Sequence, residues 1–206
     1  MMLKNLFTII NSYKLSLITI VFFEILYLIK GYKGNRFNFS DNEYMANNLP
    51  TPYYFLFKIK KTLENNNFSN FIDLGCGSGR TIDFFNKNFY NKNFIGIEYF
   101  SEQYEYCRKI FQSKNNIKII QTDFTKLNFF QYNADCYFFN NPFKKDLEFI
   151  KFIKRVINFS LKKKYILFIF VNFNKKNIEN LANIQCIKSF YINDTKGYSI
   201  CSLNNN

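Results

Sequence analysis

Short unbroken apolar runs alternate with stretches whose apolar residues recur every three or four positions, and this alternation covers most of the chain. Phe68 to Leu74, Phe94 to Ile97, Ile117 to Gln121, Ala134 to Asn140 and Tyr165 to Asn172 read as strands buried on both faces. Residues 79–88, 101–114, 145–160 and 175–182 read as the intervening helices, with Ser101 as an N-cap and Leu147, Ile150, Ile153 and Ile157 on one apolar face. Residues 184–192 and 197–203 read as a closing hairpin around Asn193, Asp194 and Gly197. The expected fold is α/β: a mostly parallel, seven-stranded, Rossmann-like sheet with a C-terminal antiparallel hairpin and helices on both faces.

Ahead of this unit, residues 15–29 (LSLITIVFFEILYLI) are apolar except for Glu24 and the two small hydroxyl residues. As a helix they reach about 22 Å, short of the ~30 Å hydrocarbon core of a bilayer. Lys4 and Lys14 precede them and Lys30, Lys33 and Arg36 follow, a flank that suits an anionic leaflet. Three readings stand: a helix packed on the domain or a partner, a segment inserted in or lying on a membrane surface, and a cleaved signal. Residues 31–50 are polar and read as a linker. Thr51 then offers an N-cap and Pro52 a first helical residue, with Phe55, Leu56, Ile59 and Leu63 following at helical spacing. The expected division is 1–40, apolar helix and linker, and 41–206, the α/β domain.

The chain has 206 residues, 48% of them hydrophobic, which suffices for one sizeable core. Net charge is +13, which suits an anionic macromolecule. With 31 Asn, and Lys outnumbering Arg 24 to 4, compositional drift toward AT-rich codons gives the same excess. The five cysteines form no CxxC pair and histidine is absent, so no metal site is expected; they read as reduced, buried thiols in a cytoplasmic setting.

The densest signal is FIDLGCGSGR at residues 71–80, where a buried strand ends in Asp73 and Leu74 and breaks into Gly75, Cys76, Gly77, Ser78 and Gly79. Such a turn lets a ligand approach the backbone, and the helix after it offers free N–H groups. In a parallel sheet, ligands bind at the carboxyl ends of the strands. Those ends carry Asp73 and the glycine loop, then Glu98 and Tyr99, then Asp123 and Phe124, then Asn140, Asn141, Pro142 and Phe143.

This spacing resembles the class I S-adenosylmethionine-dependent methyltransferases over about residues 68–203. The resemblance implies S-adenosylmethionine as cofactor. Gly75, Cys76, Gly77 and Gly79 would wrap its methionine part, Asp73 would hold the amino-acid group directly or through water, and Glu98 would take both ribose hydroxyls with Tyr99 beside it. Asp123 would accept from the adenine amino group with Phe124 beside the ring. Residue by residue, Asp123 also reads as a cap over the following turn and Phe124 as core. A dehydrogenase-type dinucleotide fold is the rival, but its GxGxxG fingerprint differs from GCGSG followed by Arg80.

NNPF at 140–143 resembles the Asp/Asn/Ser-Pro-Pro-aromatic element of amino-methyltransferases, with Asn141 in place of the first proline. A plain turn is the alternative. PTPY, DLGCGSGR and NPF together also look like a group of small bacterial methyltransferases, in which the Thr51-Pro52-Tyr53 segment would fold over the cofactor or line substrate entry. The implied activity is methyl transfer to an unassigned acceptor, a nitrogen on a protein or nucleic-acid group being favoured. A non-catalytic, membrane-associated interaction module on the same fold is the second reading.

Overall fold

The computed structural model describes residues 17–33, 49–141, 143, 145–161, 163 and 165–204. The sequence readings on residues 1–16 and 34–48, and on Pro142, lie outside them. Helix α1 (Leu17–Ile29) and helix α2 (Tyr53–Leu63) precede an alternating series. That series runs β1 (Asn70–Leu74), α3 (Arg80–Asn88), β2 (Asn93–Glu98), α4 (Ser101–Phe111), β3 (Ile117–Gln121) and β4 (Cys136–Asn140). It continues with α5 (Asp146–Ser160), β5 (Tyr165–Val171), α6 (Lys175–Glu179), β6 (Gln185–Asn193) and β7 (Lys196–Asn204). The sheet has seven strands in the order β3-β2-β1-β4-β5-β7-β6. β1 to β5 pair parallel, and β7 runs antiparallel to both β5 and β6. The strand order reverses between β1 and β4, so a crevice opens above their carboxyl ends, where crossovers leave to opposite sides.

Successive strand residues face opposite sides of the sheet, and two core layers result. Phe71, Phe138, Leu167 and Ile169 face one layer with side chains of α1 to α4. Ile72, Leu74, Tyr137, Phe139 and Phe168 face the other with α5 and α6. Strands apolar at every position are what a sheet covered on both faces requires.

α1 is built into the first layer. The Phe23 ring lies 5.4 Å from Tyr54 and 5.2 Å from Phe57; the Tyr27 ring lies 4.9 Å from Tyr53 and 5.2 Å from Phe84. Ile20, Glu24 and Tyr27 are buried, while Ile18, Phe22, Ile25 and Ile29 are exposed on the opposite side. No described helix is long and apolar enough to cross a membrane.

Four local expectations are corrected. Ser101 is the first residue of α4 and caps nothing; Phe100 stands at the N-cap, its N–H taken by the Glu98 carboxylate at 2.9 Å. Pro52 stands at the N-cap of α2, displacing Thr51 by one residue. Leu147 is exposed, because the core face of α5 is made by Phe149, Phe152, Ile153, Val156 and Ile157. Of the five cysteines, Cys76, Cys107 and Cys136 are free and buried, whereas Cys186 and Cys201 are opposite each other in the β6–β7 register and form a disulfide.

Candidate functional site: a buried carboxylate beneath the glycine loop

The turn after β1 takes its shape from three glycines in the left-handed region, Gly75 at φ 87°, Gly77 at 54° and Gly79 at 81°. The loop is tied to the neighbouring strand: the N–H groups of Gly75 and Cys76 both donate to the Ile97 carbonyl at 2.9 Å. Glu98, at the end of β2, fixes it from behind. Its Oε2 accepts from Gly77 N–H at 2.7 Å, and its Oε1 accepts from Tyr99 and Phe100 N–H, each at 2.9 Å. Burial raises the Glu98 pKa, and the three backbone donors pull it the other way.

Asp73, at the end of β1, is 2% exposed. Burial pushes its pKa well above the usual carboxylate range, and the nearby Glu98 charge adds to the shift. Among the described residues, none donates a hydrogen bond to its carboxylate. Asp73 lines a small pocket of about 30 Å³ with Gly75, Cys76, Gly77, Ser78 and Asn140, roofed by Leu49, Pro50 and Thr51. The Thr51 hydroxyl, on a residue 2% exposed, has no hydrogen-bond partner among the described residues. A buried carboxylate without a donor, and a buried hydroxyl without a partner, among the described residues at one pocket are costly unless a ligand completes them. The Cys76 thiol hydrogen-bonds with Cys107, which together with burial pushes its pKa well up, so it stands as a neutral thiol.

Asn140, at the end of β4, is held on both sides of its amide: Nδ2 donates to the Leu49 carbonyl at 2.5 Å, and Oδ1 accepts from Asn172 Nδ2 at 2.8 Å. It therefore joins the pocket floor to the roof segment. Asn141 follows with φ 33°. The Phe143 ring leaves the crevice and packs on Phe124 at 5.6 Å and Phe152 at 5.4 Å. Phe143→Ala should accordingly lower stability by about 2 kcal/mol, less than a fully buried ring would cost. Thermal melting would show this, with cofactor affinity unchanged in the folded protein. Unchanged melting would remove the packing role.

The other sequence-derived positions surround this centre without lining the pocket. Asp123 Oδ1 caps the 3-10 turn Phe124–Lys126, accepting from Thr125 N–H at 2.9 Å and from the Thr125 hydroxyl at 2.6 Å. Phe124 is buried in the core layer of α5, and Tyr99 is half exposed with its ring against Phe100. Sequence reasoning missed the use of Arg80 and Glu24 at this place. Glu24 was visible as the one charge in an apolar helix, and Arg80 as one of four arginines, set directly behind the glycine loop. Two opposite charges in two buried segments are a signal for a pair.

Residues 71–159 match the family of methyltransferase domains. The chain carries a methyltransferase domain. Together with the sheet order, the match makes this protein an S-adenosylmethionine-dependent methyltransferase, and neither names its acceptor. Solved structures share the fold. The delta-N METTL16 MTase domain is 15% identical, aligned over 77% of this chain and 84% of its own, with a TM-score of 0.56. A human methyltransferase 10 domain containing protein is 16% identical over 80% of this methyltransferase and 87% of its own chain, with a TM-score of 0.54. The SAH-bound Podospora anserina methyltransferase PaMTH1 is 10% identical over 74% and 78%, with a TM-score of 0.55. No curated protein sequence matches the chain.

Proposed function

We propose that this methyltransferase binds S-adenosylmethionine over the ends of β1 and β2 and transfers its methyl group to a nitrogen. The observation that carries this reading is Asp73, a buried carboxylate at the pocket with no described donor. Its raised pKa makes it a poor anion on its own and a good one beside a cation. The cofactor brings an ammonium and a sulfonium, and the ammonium on Asp73 would supply the missing charge-assisted hydrogen bond. The Thr51 hydroxyl stands at the same pocket to accept from the ammonium or donate to the carboxylate of the amino-acid part.

The remaining cofactor contacts follow from what each acid still has free. Glu98 Oε1 already takes two amides and Oε2 one, so Oε2 is the atom left for a ribose hydroxyl. Asp123 spends Oδ1 on its turn, and its Oδ2, with Lys126 Nζ at 3.8 Å, is left for the adenine amino group. Phe124 and Tyr99 flank these two ends, and the glycine loop lets the methionine part approach the backbone.

Methyl transfer from a sulfonium is an in-line displacement in which positive charge is lost from sulfur. Alignment in a water-poor pocket supplies most of the acceleration. Without histidine, the proton released from the acceptor nitrogen goes to a carboxylate, a tyrosine, a backbone carbonyl or water. Asn140 and Asn141, at the end of β4, form the acceptor edge of the crevice, and the PTPY and NPF elements of the sequence point to the small bacterial group. The basic surface, and the outward stripe of Ile18, Phe22, Ile25 and Ile29 next to Lys30, suit an acceptor on an anionic macromolecule or at a membrane surface. Co-sedimentation with anionic vesicles tests the membrane; equal recovery with and without vesicles removes it.

Titration calorimetry with S-adenosylmethionine and then S-adenosylhomocysteine tests the central reading. Micromolar binding of both is expected. Absence of heat with the folded protein overturns it.

A further inference from the structure

The N-terminal helix reaches the methyl-donor pocket through one side chain. Glu24 is the only charged residue of α1 and is 3% exposed. Its carboxylate pairs with the Arg80 guanidinium, Oε2 with Nη2 and Oε1 with Nη1, and Oε1 also accepts from Tyr53 N–H at 2.9 Å. Arg80 is the first residue of α3, directly after Gly79 of the glycine loop. Its Nη1 also donates to the Thr51 carbonyl at 3.0 Å, and the guanidinium lies 4.0 Å from the centre of the Tyr53 ring. One carboxylate thus holds three segments in register: α1, the roof segment at Thr51 to Tyr53, and the start of α3.

A buried ion pair adds little net stability over a well-packed apolar pair, because two charges lose their hydration. What it does add is direction. The planar guanidinium fixes its partners in a fork, where apolar contacts would let them slide. The roof segment is clamped at two carbonyls, Leu49 by Asn140 and Thr51 by Arg80. Between those clamps the Thr51 hydroxyl stands, buried and without a partner among the described residues, at the pocket that Asp73 lines. Glu24 holds the other edge of the guanidinium, beside the Tyr53 side chain, so the carboxylate is the charged anchor that orients the Arg80 clamp.

We infer that Glu24 is a positioning residue for the methyl-donor site, and that α1 completes that site by holding the Thr51 roof over the glycine loop through Arg80. The inference rests on the reading of the Asp73 pocket as the donor site. It makes donor affinity depend on a helix that lies outside the methyltransferase-family match and touches no cofactor itself.

The test compares the full chain with its Glu24→Gln variant, which keeps an acceptor for Tyr53 N–H and removes the charge. Two readouts are taken below the melting range: S-adenosylhomocysteine affinity by calorimetry, and amide hydrogen exchange. The variant should bind at least tenfold more weakly. Its exchange should quicken in peptides covering residues 49–54 and 74–82 and stay unchanged in β4 and β5. A Glu24 that served stability alone would lower the melting temperature and leave both the affinity and the local exchange of the folded protein as they were; that result overturns the inference. If the wild-type protein binds no S-adenosylhomocysteine, the donor-site reading falls by itself. Exchange then decides the coupling, with unchanged rates at 49–54 and 74–82 overturning it. Should Glu24→Gln fail to fold, Arg80→Lys keeps the charge, loses the fork and the contact with Tyr53, and is read by the same two measurements.

Discussion

Asp73→Asn should raise the melting temperature of the cofactor-free protein and cost roughly 100-fold in S-adenosylmethionine affinity, about 3 kcal/mol. The two effects share one cause. In the free protein the carboxylate is buried, meets no described donor and is repelled by Glu98. An amide of the same shape carries no charge to desolvate, and the relief amounts to about 1–2 kcal/mol, or a few degrees of melting temperature at this chain length. When the cofactor binds, its ammonium reverses the sign, because the charge that destabilised the apo protein becomes the partner of a cation.

The pH dependence tests the proposed assignment further. An unfolded aspartate titrates near 4, and burial places the folded Asp73 above that. Between the two values the folded protein holds a proton that the unfolded chain has released. Unfolding therefore releases a proton, and apo stability contributed by Asp73 is full below about pH 4 and is lost as pH rises through the folded pKa. The Asp73→Asn variant lacks this loss. Its advantage over the wild type should be near zero at pH 4 and grow to its full size on the alkaline side of the window. Cofactor affinity runs the other way, rising with pH across the same window as Asp73 ionises, with a proton released on binding. Calorimetry in buffers of different ionisation enthalpy measures that proton, and melting curves at several pH values measure the stability. A variant that melts below the wild type and binds equally well would show that Asp73 is satisfied within the protein, and the pocket would lose its cation.

The parallel sheet was legible because its strands are apolar at consecutive positions, a pattern that only burial on both faces explains. β1, β2 and β5 show it most clearly. The glycine loop and the acids at three strand ends were legible for a related reason: a buried strand that ends in a charge must end where something meets the charge. Less legible were facts set by residues far apart in sequence. Glu24 and Arg80 are separated by 56 positions, and nothing local says that α1 folds back onto the start of α3. The Cys186–Cys201 pairing depends on the β6–β7 register, which shifts at irregularities between Cys186 and Lys188 and between Tyr191 and Asn193. Helical phase misled at Leu147, because periodicity locates an apolar stripe but not which first-turn residue overhangs the edge of the sheet. Asp123 shows a further limit. One oxygen caps a turn and the other faces Lys126 Nζ at 3.8 Å, so the capping reading holds in the structure and does not by itself exclude the proposed contact with a ligand.

Gly79→Ala should produce a large loss of stability for a single added methyl. Gly79 is the N-cap of α3 at φ 81°, where an L side chain costs about 1–2 kcal/mol. The added Cβ would also lie 2.6 Å from Phe111 Cε2 and 2.7 Å from Cys107 Sγ. Both neighbours belong to α4 and are buried, so relief requires α4 to move off the loop, and overpacking of this kind costs about 1–3 kcal/mol. The sum, about 2–5 kcal/mol, is a large part of the ~5–15 kcal/mol that holds a domain folded. Gly31→Ala separates the two causes. Gly31 has φ 69°, nearly the same backbone, but its Cβ would meet nothing within 4 Å. It should cost only the backbone share, about 1–2 kcal/mol. Denaturant midpoints of the two variants against the wild type measure the difference. A midpoint for Gly79→Ala no lower than that for Gly31→Ala would mean that α4 does not press on the glycine loop. A clear gap would show that the loop is held from beneath by Cys107 and Phe111, just as Glu98 holds it from behind, and that the donor site gains its rigidity from packing on a face no ligand touches.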